Sequence, residues 1–409
     1  MAGSAREKGS STANGKPMYR IGTFNKISPR GLDQFSEDDR FVLEKESTDV
    51  DAIVVRSHSL LDATLGSGVK AIGRAGAGVN NIPVDRCTQD GIVVFNTPGA
   101  NANAVKELVL AGLLLTARDI VGGVEFVKGL KGKGKEISGI VEKNKSNFVG
   151  IELIGKRLGV MGLGAIGTMV ANDAISLGMT VEGYDPFISV DWAWRLSKEV
   201  KRAESLEKML RSVDFLTIHV PLVADTRGFL NASRLKHLKK SAVLLNFSRS
   251  EVVVEADIIS ALNGGVFRKY ICDFPSEALL GTPNAVCLPH LGASTHEAEE
   301  NCAVMIAQQL KDFLLYGNIR NSVNFPTCVM EPTSDARLTI INRNVPNMVG
   351  QITTVIAEHK GNISEMMNKS RGDVAYNIVD FSGIKNTKAL IADLQKVDGI
   401  VNVRLIAGA

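Results

Sequence analysis

The stretch Leu158-Gly159-Val160-Met161-Gly162-Leu163-Gly164-Ala165-Ile166-Gly167 constrains this chain more than any other. An apolar run ends in G-x-G-x-x-G, a helical pattern follows, and a second β-rich run closes at Tyr184-Asp185. Strand, glycine turn, helix and strand in that order predict a βαβ unit built on a parallel sheet. Gly162 permits the tight turn, Gly164 lets a pyrophosphate approach the backbone, and Gly167 lets the helix pack on the strand. The phosphates would then meet a helix N-terminus, where unpaired N–H groups favour anions. Asp185 falls where a carboxylate takes both ribose hydroxyls, which favours NAD over NADP because a 2′-phosphate would be repelled.

The bulk numbers exclude several classes. At 409 residues the chain has room for about two to four domains, each with its own core. A net charge of +3 is too small to argue for a nucleic-acid or membrane partner. Five cysteines form no C-x-x-C pair, a pattern that suits reduced thiols in a reducing compartment. No His/Cys/Asp cluster has zinc-site spacing, so no metal is expected. Apolar stretches are too short or too charged to span a bilayer. Residues 1–17 are polar and Gly/Ser-rich, without the apolar core of a secretory signal. We read them as a disordered leader on a cytoplasmic protein whose fold begins near Met18.

Hydrophobic patterning then divides the chain. Short apolar runs such as Ala52–Val55 and Ile92–Phe95 read as buried parallel strands, and an apolar helix follows from Ala102 to Arg118. Residues 121–150 are Gly/Lys-rich and read as surface helix and loop with a solvated charge run. Later strands are expected at Phe215–Ile218, Val243–Asn246 and Tyr270–Asp273, with helices at 204–211 and 255–263. A helix over 294–315 returns to the first lobe, which makes that lobe discontinuous. Beyond a Pro-marked linker, strand and helix signals from Ala336 follow the βαββαβ order of a ferredoxin-like unit. The expected fold is α/β. It comprises a substrate lobe (18–101 and 294–325), a Rossmann lobe (102–293) and a small C-terminal domain (335–409).

Three polar residues close apolar runs or sit in the loops after them, where ligands of open α/β sheets bind: Arg249, Glu277 and His290. Oxidation of a 2-hydroxy acid needs these three types. A guanidinium clamps the carboxylate in bidentate fashion, and an imidazole takes the hydroxyl proton as hydride leaves C2. A carboxylate behind the imidazole fixes its tautomer. Taken singly, Arg249 reads equally as a surface cap and Glu277 as a solvated loop acid.

The chain resembles the D-isomer-specific 2-hydroxyacid dehydrogenase family from Met18 onward. The resemblance rests on Gly73–Asn81, Phe95–Gly99, the glycine motif, Ile218–Leu222, Asn246–Arg249 and Leu288–Thr295. It implies that Arg249, Glu277 and His290 are the catalytic trio. It also sets Ala165, Ile166, Asp185, Val220, Pro221, Phe247, Ser248, Gly292 and Ala293 against NAD. Family members have an acid where Cys272 stands, so either Cys272 holds that place at the nicotinamide or Asp273 does. Asp273 is the favoured residue. Arg56, Ser57, Arg74, Gly76 and Asn101 would hold the substrate. A phosphorylated 2-hydroxy acid carries roughly three negative charges, which suits two arginines. Their alternative is pairing with nearby acids.

The C-terminal unit resembles an ACT domain, a regulatory module that binds amino acids. The resemblance sets Asn344 and Asn362 in a site for an effector such as L-serine, and a homodimer or homotetramer is implied. Two other functions compete: reduction of unphosphorylated acids such as glyoxylate or hydroxypyruvate, and a non-catalytic NAD-sensing interaction protein.

Overall fold

Sixteen strands fall into three sheets, in a computed structural model that describes residues 18–334 and 336–407. The leader expected over residues 1–17 lies outside the described residues. The chain divides into one unit made of residues 1–101 and 296–409 and a second made of residues 102–295.

The first unit opens with β1 (Tyr19–Thr23), β2 (Phe41–Lys45), β3 (Ala52–Val55), β4 (Ala71–Arg74) and β5 (Val93–Phe95). They form a parallel sheet in the order β2-β1-β3-β4-β5, a doubly wound topology. All four residues of β3 are buried, as a strand covered on both faces requires. The helix His296–Tyr316 returns to this sheet. A Cβ at Gly73 would stand 2.5 Å from Ile306 Cγ1, so glycine lets that helix lie close on β4.

The second unit carries β6 (Arg157–Met161), β7 (Thr180–Tyr184), β8 (Lys201–Arg202), β9 (Phe215–Ile218), β10 (Val243–Asn246), β11 (Lys269–Cys272) and β12 (Ala285–Cys287). The order β12-β11-β10-β9-β6-β7-β8 is parallel throughout. Winding reverses between β6 and β9, and that switch point is where open sheets of this kind take their ligands. β9 and β10 form over the residues their apolar runs indicate. The Gly/Lys-rich segment forms two surface helices, Ile120–Lys128 and Ile137–Asn144, with no buried residue in either.

The C-terminal strands β13 (Ala336–Arg343), β14 (Asn362–Arg371), β15 (Val374–Ser382) and β16 (Ile400–Ala407) make an antiparallel sheet in the order β14-β15-β13-β16. This is the ferredoxin-like arrangement. One face packs Leu338, Ile340, Val379 and Phe381 against Ile352, Ile356, Leu390 and Leu394 of its two helices. The other face is covered over β13 and β15 and largely exposed along β14. Ile341, Tyr376 and Ile378 join a core containing Phe313, Ile319 and Cys328.

A fully buried ion pair fixes that junction. Arg337 Nε and Nη2 donate to Asp380 Oδ1 and Oδ2 at 2.6 and 2.9 Å, and Nη1 donates to the Tyr316 and Met330 carbonyls, both at 2.8 Å. Asp380 also accepts the Thr333 N–H at 2.8 Å. Burial works to raise the Asp380 pKa, but the bonds from Arg337 and Thr333 outweigh it and hold the carboxyl below its ordinary value. The stabilisation is therefore complete above the ordinary carboxylate range and is lost as pH falls through the depressed value. Removing one partner strands a buried charge, at a cost of about 3–5 kcal/mol. Arg337→Met should lower the urea midpoint read by amide exchange in β13 and β15. An unchanged midpoint would show that the pair contributes nothing.

Candidate active site

The glycine turn follows β6. Gly162 has φ +91°, and a Cβ there would lie 2.8 Å from the His219 carbonyl. At Gly167 a Cβ would stand 1.9 Å from the Gly162 oxygen, so the helix Ala165–Ser176 can meet the turn only with glycine at that position. Gly164, the residue that opens this helix, differs. A Cβ there meets nothing within 4 Å, so packing within the protein does not require glycine. Room left open at a helix N-terminus suits an anionic ligand drawn close to the backbone.

Asp185, at the end of β7, is pinned beside the turn. Its Oδ2 accepts the Leu163 N–H at 2.8 Å and its Oδ1 accepts the Phe187 N–H at 2.9 Å. Val220 and Pro221 follow β9. Near them His219 Nε2 lies 2.9 Å from Thr217 Oγ1, and burial pushes its imidazole down to about 3. The imidazole is therefore neutral near neutral pH.

The carboxyl ends of β10, β11 and β12 carry the three sequence candidates. Arg249 is exposed, and its Nη1 donates to the Ser248 carbonyl at 2.7 Å. Fully buried Asn246 shapes this turn by donating to the Arg249 carbonyl at 2.9 Å and accepting the Ser248 N–H at 3.2 Å. The Ser248 hydroxyl donates to the Val220 carbonyl, tying this loop to the one after β9. The Phe247 ring is buried in the core with Leu245 and Val109, which leaves only its backbone for a ligand.

Glu277 is exposed at the start of the helix Glu277–Leu280, behind the Ser276 cap whose hydroxyl accepts the Leu279 N–H at 3.2 Å. His290 is exposed, with φ +56°, and its ring sits edge-on to Phe274 at 5.2 Å. Among the described residues no hydrogen bond or ion pair joins Glu277 to His290. Asp273 is 2% exposed, and its carboxylate accepts the N–H groups of Leu291 and Gly292, each at 2.7 Å. Cys272 packs with Tyr270 and Leu279 in a core that excludes neighbouring Ile271. Burial pushes its thiol up to about 12, so it cannot supply the negative charge that a carboxylate would.

In the first unit, the substrate candidates stand at the carboxyl ends of β3 and β4. Arg56 pairs with Glu299 at 2.7 Å, the alternative left open by the sequence. Arg74 Nε donates to the Arg56 carbonyl at 3.1 Å. A Cβ at Gly76 would lie 2.4 Å from Arg74 Nη1, so glycine there makes room for the guanidinium. The Ser57 N–H is held by Asn25 Oδ1 at 3.2 Å, and Asn81 Nδ2 donates to the Arg56 and His58 carbonyls at 3.3 and 2.6 Å. Asn101 is partly buried at the end of this segment.

The sequence assigns no site role to Asn25, Asn81, Asn246 or Glu299, although Asn81 and Asn246 lie in the motifs that carry the resemblance. Only Asn246 carried a further signal, a polar residue ending an otherwise apolar strand. The two effector candidates fall at opposite ends of the C-terminal sheet, Asn344 just past β13 beside Val374 and Asn362 opposite Ser382. Asn344 donates to the Gly372 carbonyl at 3.0 Å, and exposed Asn362 begins β14. Among the described residues no group of His, Cys, Asp and Glu could hold a metal ion, and no helix is long and apolar enough to cross a membrane.

Residues 111–292 match the family described as "D-isomer specific 2-hydroxyacid dehydrogenase, NAD binding domain". The D-3-phosphoglycerate dehydrogenase of Bacillus subtilis is 31% identical over 405 residues, covering 94% of this chain and 73% of that protein. The same-named protein of Haemophilus influenzae is 30% identical over 380 residues, covering 89% and 88%. The chain belongs to the D-isomer specific 2-hydroxyacid dehydrogenase family.

Among solved structures, an NAD+-bound 3-phosphoglycerate dehydrogenase from Entamoeba histolytica matches with TM-score 0.59 and 25% identity, over 75% of this chain and 99% of that one. An NADPH-dependent glyoxylate/hydroxypyruvate reductase from Sinorhizobium meliloti matches with TM-score 0.61 and 25% identity, over 74% and 97%.

The glycines of the family's cofactor domain separate two roles that one experiment can distinguish. Gly167→Ala should lower the thermal midpoint of the ligand-free protein, because the added methyl collides with backbone. Gly164→Ala should leave that midpoint within a degree or two while weakening NAD binding by about tenfold, the equivalent of 1.4 kcal/mol. Equal midpoints and equal affinities for the two variants would refute this division.

Proposed function

We propose that this chain oxidises 3-phospho-D-glycerate to 3-phosphohydroxypyruvate with NAD, the entry step of L-serine biosynthesis. The observation that carries the reading is the run of relatives named D-3-phosphoglycerate dehydrogenase, about 30% identical across most of the chain. The open space at Gly164 and the fixed Asp185 carboxylate fit an adenine dinucleotide without a 2′-phosphate. Ala165, Ile166, Val220, Pro221, Ser248, Gly292 and Ala293 complete the residues assigned to it.

NAD, when bound, supplies the hydride acceptor. His290 takes the proton of the C2 hydroxyl, and Arg249 holds the carboxylate and polarises the C2 oxygen with its always-charged fork. Glu277 is assigned to stabilise the imidazolium that results. Arg56 and Arg74, with Ser57, Gly76 and Asn101, are assigned to the substrate's anionic groups. The pairing of Arg56 with Glu299 favours one second reading, an unphosphorylated acid such as glyoxylate or hydroxypyruvate, because a guanidinium already paired with a carboxylate offers a phosphate less net charge.

The ferredoxin-like order of the C-terminal sheet supports an ACT domain that senses an amino acid, with Asn344 and Asn362 the assigned effector residues. L-Serine should inhibit the wild type, and Asn344→Ala should relieve the inhibition; insensitivity of the wild type would remove the effector. Exposed Ile120, Val124 and Val127 on one surface helix support a homo-oligomer, which light scattering checks against the monomer mass. Reduced thiols at all five cysteines support a cytoplasmic setting.

Steady-state rates decide between the substrates. The phosphorylated acid should be turned over with the higher kcat/KM, and activity confined to hydroxypyruvate and glyoxylate would select the second reading. His290→Gln should lower kcat by roughly 10²–10⁴-fold, the usual contribution of a positioned general base. Unchanged turnover would rule out the base assignment.

A further inference from the structure

His290 occupies a backbone conformation that bulky residues rarely adopt. Its φ of +56° lies in the left-handed region, where a non-glycine residue is strained and persists only if its surroundings hold it. The side chain itself offers little hold. The ring is exposed and touches the edge of Phe274, and Leu291 beside it is 42% exposed.

What holds the segment lies directly after His290. Both N–H groups that follow it, those of Leu291 and Gly292, donate to the two oxygens of the buried Asp273 carboxylate, each at 2.7 Å. A Cβ at Gly292 would come within 3.1 Å of Asp273 Oδ2, so the absence of a side chain there lets the carboxylate approach. On the other side, the Leu288 N–H donates to the Cys272 carbonyl at 2.8 Å, which docks the segment before His290 on the end of β11. The histidine is thus anchored from both sides to two consecutive residues, Cys272 at the end of β11 and Asp273 just past it.

We infer that Asp273 is a positioning residue that fixes the left-handed turn at His290 by taking two successive backbone N–H groups into one carboxylate. This rests on the reading of His290 as the catalytic base. It gives Asp273 a structural task within the reaction in place of the nicotinamide contact that the sequence suggested. A carboxylate is the group required, since it accepts at both oxygens, whereas a carboxamide accepts at one and presents donors at the other.

The test is a double-mutant cycle on the full chain with 3-phosphoglycerate and NAD. Asp273→Asn should lower kcat by roughly 10–100-fold and leave the NAD dissociation constant within about threefold. In a His290→Gln background the same change should have almost no further effect, because Asp273 acts through the histidine. An equal loss in both backgrounds would overturn the inference, as would a tenfold loss of NAD affinity with kcat retained. His290→Gln turning over like the wild type would instead overturn the parent reading. Amide exchange on the unmutated protein supplies a measurement that does not depend on any variant folding. The Leu291 and Gly292 amides should exchange at least 100-fold more slowly than free-loop amides, and free-loop rates would refute the clamp.

Discussion

The closeness of the Gly167 Cα to the Gly162 carbonyl sets the geometry on which the second unit's chemistry depends. No side chain fits between them, so the helix Ala165–Ser176 starts tight against the end of β6 and directs its unpaired N–H groups past the sheet's carboxyl edge. The same turn gives Asp185 its anchor through the Leu163 N–H and presses Gly162 on the backbone of His219. A larger residue at 167 would displace the helix start, the acid and the anion-binding edge together.

A second device recurs at the carboxyl ends of the strands. Buried Asn and Asp side chains bond to loop backbone and so give irregular segments a defined shape. Asn246 holds the turn that carries Arg249, and Asp273 holds the turn after His290. Exposed Asn25 and half-buried Asn81 likewise bond to loop backbone beside Arg56 and Ser57. Loops carry the reactive groups of such folds because a rigid sheet can aim them, and these side chains transmit that rigidity. At the C-terminal sheet the buried Arg337–Asp380 pair plays the corresponding part, tying β13 and β15 to the carbonyls of Tyr316 and Met330.

Much of this was legible before any coordinates. Four-residue runs, apolar but for Thr217 and Asn246, mark β3, β9 and β10 because strands buried on both faces tolerate little else. The glycine motif marks its turn because each glycine answers a separate steric or ligand demand. The supporting residues were not legible, since an Asn that bonds to a loop carbonyl looks the same in sequence as one facing water. The Arg56–Glu299 pair joins residues from opposite ends of the chain, and neither signals the other. His290 gave no sign of a left-handed backbone, a state enforced by Asp273 and Gly292. Nor was the place of Phe247 legible, since a Phe after a strand reads the same whether its ring faces a ligand or, as here, the core.

The central claim is a direct transfer of hydride from a 2-hydroxy acid to a nicotinamide on this chain. Mixing the protein with NAD+ and 3-phosphoglycerate deuterated at C2, then reading the reduced cofactor by mass spectrometry and NMR, tests it most directly. The account requires deuterium at the nicotinamide C4, formed in step with 3-phosphohydroxypyruvate. Unlabelled reduced cofactor, or NAD bound with no reduced cofactor from any 2-hydroxy acid, would contradict it.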